Sequence, residues 1–584
     1  MHLSPSWRLW AAAVLSAVLI ELPFPLAGPM PPWRSVFAWF ALVPLLWALL
    51  SRPGRKGSRS GSFDASAAAD SPRTTTVRMG HPELSLPGAF FIAYLCGFLW
   101  YMGNCYWVRD TMMHYGDMPP MAPTLLLIGY SLVLGLYFGV FGFGVALVRR
   151  ATGSARLALA FAPILWSALE LAAARITSVP WDQLGYSQVD NALVNQLAPW
   201  TGVYGISFVL VAANALLAGG LLLGSELKSR LAGSWAGRWS WAGCGAILLI
   251  SGFCGVFVAP PKPAPTATAV LIQPNLDVGS ANNWQGPAWD NQIAEFARLA
   301  GETCNSYIAG IPQTGAQTGE IICPPYPAHP DLVVWPESPA PFDQTDPRFE
   351  KALVTIAGTV QAPLVVGGIG WDKDDLSQEW RYYNSAIITN ASGQIIGRYD
   401  KIHLVPFGEY IPFQNLIKFA HKLTGRVSTF SRGTERKTFL LDTQNGERHR
   451  YGVFICYEAV FADEVRQFAR LGAEVLVNIS DDGWYGDTSA PWQHLNMARM
   501  RAIENRRWLL RDTNTGVTAV IDPYGRVRES IPRHQTGALP AEYGFRDDIT
   551  FYSAHGDVFA WVCVVASLAG AGFALMRIGR GSAR

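Results

Sequence analysis

The chain has 584 residues, 50% hydrophobic and only 15% charged, with a formal net charge of +2. An ordinary soluble domain carries roughly 25% charged residues, so the balance points to a membrane protein with more than one unit. The small net charge and the lack of a basic run interleaved with aromatics exclude a nucleic-acid binder. The eight cysteines, with no CxxC pair and no Cys/His cluster of zinc spacing, support neither a metal nor a redox centre.

Seven long apolar stretches come first, at 7–26, 35–50, 89–108, 123–148, 155–176, 203–223 and 241–258, and an eighth lies at 558–576. A helix needs about 20 mostly apolar residues to cross a bilayer, so eight spans are expected. The first lacks a clean small-residue cleavage site and is followed by others, so it reads as retained rather than as a cleaved signal. Arg52, Arg55, Lys56, Arg59, Arg73 and Arg78 crowd the loop after the second span. Arg149, Arg150 and Arg156 follow the fourth, and Lys228, Arg230 and Arg238 the sixth. Positive charge marks cytoplasmic loops, which puts both termini in the cytoplasm and residues 259–557 on the outer side, the periplasm of a Gram-negative cell. Three segments are therefore expected: 1–258 with the first seven spans, 259–557 outside, and 558–584 with the eighth span and a cytoplasmic tail.

The outer segment begins at the Pro-rich linker APPKPAPT and then alternates strand-like and helix-like runs. TAVLIQPN, DLVVWPES, APLVVGGIG, RYGVFICYE and AEVLVNIS read as strands, and NSAIITNASGQIIGRYDK and TGVTAVIDPYGRVRE as hairpins. Amphipathic helices are expected over 291–304, 348–357, 462–471 and 490–507. Such alternation implies a layered α/β domain. Residues 305–330 read as an inserted loop, across which Cys304 and Cys323 could pair.

Glu337 in WPES, Lys401 in YDKIHLVPFGEYIPF and Cys456 in ICYE stand at or just beyond strand-like runs, where loops converge to build sites. Singly, each has an ordinary explanation: packing for the cysteine, a solvated turn for the glutamate, the surface for the lysine. Together they form a chemical set. A thiol becomes a nucleophile on losing its proton, a carboxylate can take that proton, and an ammonium favours both thiolate and oxyanion. Glu409 in PFGEY supplies a second carboxylate near the lysine, and Glu458 a third beside the cysteine.

This order of Glu, Lys and Cys in these contexts resembles the nitrilase, or carbon-nitrogen hydrolase, superfamily. Set between a seventh and an eighth span, with PWDQLGYSQVDN (180–191) and the run from Asn478 to Gly525, the chain resembles the apolipoprotein N-acyltransferase family. The resemblance implies an αββα sandwich on a polytopic helical membrane unit. It implies Glu337 as general base, Lys401 as oxyanion stabiliser, Cys456 as acyl-carrying nucleophile and Glu409 as an essential glutamate. Tyr457 and Glu458 match the positions after the nucleophile, the Tyr457 N–H being a candidate second oxyanion donor. Trp484 matches an aromatic of the lipid-binding rim, and Trp284 is favoured over Trp289 as a loop tryptophan. Where the family often reads Ser-Asn-Asp-Ala-Trp, this chain has Ser480, Asp481, Asp482, Gly483 and Trp484. The implied reaction moves a fatty acyl chain from a phospholipid to the α-amino group of a diacylglyceryl-modified N-terminal cysteine. It passes through a thioester, needs no cofactor, and is carried out by a monomer.

Overall fold

A computed structural model of the chain describes residues 7–51, 84–116, 118, 121–226, 235–278, 287–301, 330–337, 344–373, 378–406, 408–410 and 430–582. Trp284, Cys304, Cys323 and all but the last residue of the expected insert lie outside them. Apolar helices fill the N-terminal part, since a chain in hydrocarbon must satisfy its backbone polar groups internally. Six helices among the described residues are long and apolar enough to cross a membrane: Pro32–Leu50, Leu86–Asn104, Met121–Thr152, Ala155–Thr177, Val203–Leu222 and Val558–Arg580. The other two expected spans also form helices, but with shorter apolar runs: Trp7–Glu21 has 15 residues, and the 21-residue helix Trp235–Gly255 contains the apolar run Gly243–Gly255. The C-terminal helix packs back on Met121–Thr152 and Ala155–Ala172.

Between these helices lie two sheets. Their strands are β1 (Ala267–Gln273), β2 (Leu332–Val334), β3 (Leu364–Lys373), β4 (Trp380–Thr389), β5 (Ile395–Asp400) and β6 (Thr438–Asp442). They continue with β7 (Arg448–Ile455), β8 (Val475–Ser480), β9 (Trp508–Thr513), β10 (Thr518–Ile521), β11 (Val527–Ile531) and β12 (Gly537–Tyr543). One sheet runs β12-β1-β2-β3-β4-β5 and the other β11-β10-β9-β8-β7-β6. At the centre of each the strands are parallel, β1-β2-β3 and β7-β8-β9, and such strands are buried on both faces. Alternation along β1 shows why. Ala269 and Leu271 belong to the core between the sheets, while Val270 and Ile272 pack with Phe296 and Phe349 of helices Pro287–Gly301 and Pro347–Val360. Helices Ala462–Arg470 and Ala490–Asn505 accompany the second sheet, completing the αββα layering.

The joint between the helical part and the sandwich is not a linker alone. One apolar cluster runs from Leu9, Trp39 and Tyr186 to Val453, Met497 and Leu539 without a break. Polar stitches reinforce it: Arg175 pairs with Asp463 at 2.9 Å and Asp557 at 2.6 Å, and Glu504 accepts the Val203 N–H at 3.1 Å.

Candidate active site

Three strand ends deliver the three residues. Glu337 follows β2, Lys401 follows β5 directly, and Cys456 follows β7 directly. All are buried, at 6%, 1% and 5% exposure respectively. Lys401 Nζ lies 2.9 Å from Glu337 Oε1 and 3.0 Å from Glu409 Oε1. The Asn384 amide donates to the same two oxygens at 2.7 and 2.6 Å. The other Glu337 oxygen, Oε2, accepts the Asp481 N–H at 2.9 Å, and the Cys456 thiol also hydrogen-bonds to this carboxylate.

Those contacts set the charges. Burial alone would push the Glu337 carboxyl up, but Lys401, Asn384 and the thiol hold it below the usual carboxylate value. Burial works against the Lys401 charge, yet Glu337 and Glu409 raise it well above the ordinary lysine value. Burial and the Glu337 charge push the Cys456 thiol up, with Lys401 opposing them. The resting state is thus a carboxylate, an ammonium and a thiol, with the carboxylate beside the thiol whose proton it would take. Asn384 was not singled out from sequence; a lone amide at the start of the apolar run SAIIT was its only signal.

Cys456 has φ = 48°, the left-handed region, and opens the short helical turn Cys456–Val460. A non-glycine residue there is strained by roughly 1–3 kcal/mol and persists only when its surroundings impose it. Glu458 supplies one constraint. Its Oε2 accepts the Ile455 N–H at 2.7 Å, and its Oε1 accepts those of Ile402 and His403 at 2.7 and 3.2 Å. The Tyr399 hydroxyl reaches both oxygens, at 2.9 and 3.0 Å. Sequence marked Glu458 as a neighbour of the thiol; its geometry is that of a clamp tying the lysine loop to the end of β7.

Glu409 is held in the same way, with Oε2 accepting the Val405 N–H at 2.8 Å while Oε1 faces Lys401. The Tyr457 side chain donates its hydroxyl to the Ser178 carbonyl at 3.2 Å. Trp484 is 47% exposed and packs edge-on against Tyr115 at 5.3 Å, whose hydroxyl donates to the Gly483 carbonyl at 3.1 Å. Trp289, the alternative to Trp284, is a buried core residue on helix Pro287–Gly301 under the Arg348 guanidinium.

A carbon-nitrogen hydrolase family model matches residues 319–542, and a model of the apolipoprotein N-acyltransferase N-terminal domain matches 77–216. The apolipoprotein N-acyltransferase of Geobacter metallireducens is 34% identical over 575 residues, 98% of this chain and 96% of that protein. The Sinorhizobium fredii enzyme of the same name is 32% identical, covering 78% of this chain and 79% of its own length. Among solved structures, Saccharomyces cerevisiae Nit3, of the nitrilase superfamily, aligns with 49% of this chain and 93% of its own, at 20% identity and a TM-score of 0.31.

Proposed function

Because the chain belongs to the apolipoprotein N-acyltransferase family, we propose that it acylates lipoproteins through a thioester on Cys456, with a membrane phospholipid as donor. The observation that carries this reading is the convergence of Glu337, Lys401 and the Cys456 thiol in one buried hydrogen-bonded group. Glu337 takes the thiol proton, and the thiolate attacks an ester carbonyl of the phospholipid. Lys401 and the Tyr457 N–H hold the tetrahedral oxyanion, and lysophospholipid leaves with the proton from Glu337. The α-amino group of a diacylglyceryl-cysteine then attacks the thioester, Glu337 accepting its proton, and the thiol is restored. Donor product leaves before acceptor reacts, which gives ping-pong kinetics. Glu409 and Asn384 keep the ammonium and the base in register, and Trp484 lines the lipid-facing rim.

The same reading places eight helices in the cytoplasmic membrane, the sandwich (259–557) on the periplasmic side between the seventh and eighth, and both termini in the cytoplasm. A site resting on the bilayer suits two substrates that are both lipids, and a monomer suffices.

Incubation with phospholipid followed by intact-mass measurement tests the chemistry. One added acyl chain, mapped to Cys456, is expected, with discharge by a diacylglyceryl-cysteine peptide much faster than by water. An adduct on another residue, or a Cys456→Ala variant that still forms it, sinks the mechanism. Discharge by water alone would make the protein an amidase-like hydrolase instead.

A further inference from the structure

Behind the nucleophile lies a second polar group that the reaction as described does not use. His494, fully buried on helix Ala490–Asn505, has Nε2 3.0 Å from the Cys456 carbonyl oxygen. A carbonyl only accepts, so Nε2 is the donor. Its Nδ1 lies 2.9 Å from Asp482 Oδ1, and Asp482 Oδ2 accepts from Arg511 at 2.6 Å. Arg511 also donates to Asn478, whose amide reaches the Phe454 carbonyl at 3.1 Å. Trp181 stacks on the imidazole at 6.1 Å and is itself fixed by Gln493, at 2.8 Å. The ring therefore has one orientation, imposed from three sides.

The carbonyl it grips belongs to the peptide joining Cys456 to Tyr457. That peptide is trans, so its C=O and N–H point in opposite directions. With the oxygen drawn towards His494, the Tyr457 N–H is turned to the opposite side. Resting on the thioester reading above, we infer that His494 is a positioning residue for the oxyanion hole: it orients and polarises the Cys456–Tyr457 peptide, making its N–H a better donor to the tetrahedral intermediate. A hydrogen bond to a carbonyl strengthens the donor at the other end of the same amide, and the dry surroundings preserve the effect. Asp482 and Arg511 keep the imidazole aimed.

The test separates oxyanion chemistry from mere support of the thiol. Alkylation by iodoacetamide displaces iodide and forms no oxyanion, whereas acylation by phospholipid does. In the full-length protein in detergent, His494→Phe should slow single-turnover thioester formation by about 10- to 100-fold. Alkylation of Cys456 should stay within about twofold of wild type, and His494→Gln, which keeps a donor, should recover most of the acylation rate. Acylation and alkylation falling together would reduce His494 to a fold-supporting residue and overturn the inference, as would unchanged acylation or a Gln variant no better than Phe. If His494→Phe does not fold, Asp482→Asn, which keeps the shape but weakens the hold on the ring, should show the same split, and its absence would equally count against the idea. Wild-type protein that alkylates at Cys456 yet forms no acyl adduct would instead overturn the proposed function.

Discussion

The carboxylates on the two sides of Cys456 are all at least partly buried, Glu409 the least so, but they are differently engaged. In front, Glu337 and Glu409 share one ammonium and one amide, and Glu337 also faces the thiol. Behind and beside it, Glu458 and Asp482 have their oxygens occupied by donors that do not move in the proposed reaction: backbone N–H groups and a tyrosine for one, His494 and Arg511 for the other. Burial therefore does not reveal a role; the mobility of the partner proton does. A carboxylate whose donors keep their protons is a strut, whereas Glu337, set beside the thiol whose proton it takes in the proposed reaction, is a reagent.

Four substitutions sharpen this contrast. The largest effect is expected for Glu337→Gln, which should lower single-turnover thioester formation by roughly 10³-fold per folded molecule, far beyond any accompanying fall in stability. Glu458→Gln should reverse the pattern. It brings an NH₂ group against N–H donors, leaves backbone groups of Ile402, His403 or Ile455 unpaired in the interior, and costs about 1–3 kcal/mol for each group so orphaned. Its signature is a fall of several degrees in the unfolding midpoint, measured before any activity loss is interpreted.

Asn384→Leu tests the electrostatics of the front. Glu337 is held below the ordinary carboxylate value of 4.5, so the base stays ionised through neutral pH and is lost only as pH falls through its depressed value. Removing the amide removes one of the groups that hold it down. The acid limb of the acylation rate should therefore move to higher pH, read from single-turnover rates across a pH series. A limb that stays in place would show that the Lys401 ammonium alone sets the base. The smallest effect belongs to Trp484→Ala, expected to raise KM for phospholipid a few-fold with little change in kcat, as the proposed rim role of this half-exposed side chain implies.

Sequence made the front of the site legible and left the back obscure, for a physical reason. Glu337, Lys401 and Cys456 are polar residues breaking apolar runs at strand ends, a signal carried by each residue's own neighbours. The grips of Glu458 on Ile402 and of His494 on the Cys456 carbonyl join positions far apart in sequence, and no local pattern encodes them. The same distinction explains the strands. Those with clean apolar runs are readable, whereas β9 carries Arg511 and Asp512 inside WLLRDT, a guanidinium paired with Asp482 and a buried carboxyl that accepts the Ile272 N–H, partners that lie on other elements. β12 contains Pro540, which is tolerated because that strand lies at the edge of its sheet. β6 is short and ends in charge, with little to set it apart from a loop. Among the membrane helices, apolar composition announced the segments but not how many residues of each would remain helical, which is where Trp7–Glu21 fell short of its expected length.

The unbroken apolar core joining the helices to the sandwich, stitched by Arg175 to Asp463 and Asp557, has one more consequence. Among the described residues that core is continuous, so the sulfur of Cys456 cannot rise or sink against the apolar helices without tearing packed side chains apart. Under the proposed function the membrane unit acts as a depth gauge: it fixes the altitude at which an ester carbonyl is met, so a lipid is chosen partly by where along its length the ester sits, before any of its atoms is recognised.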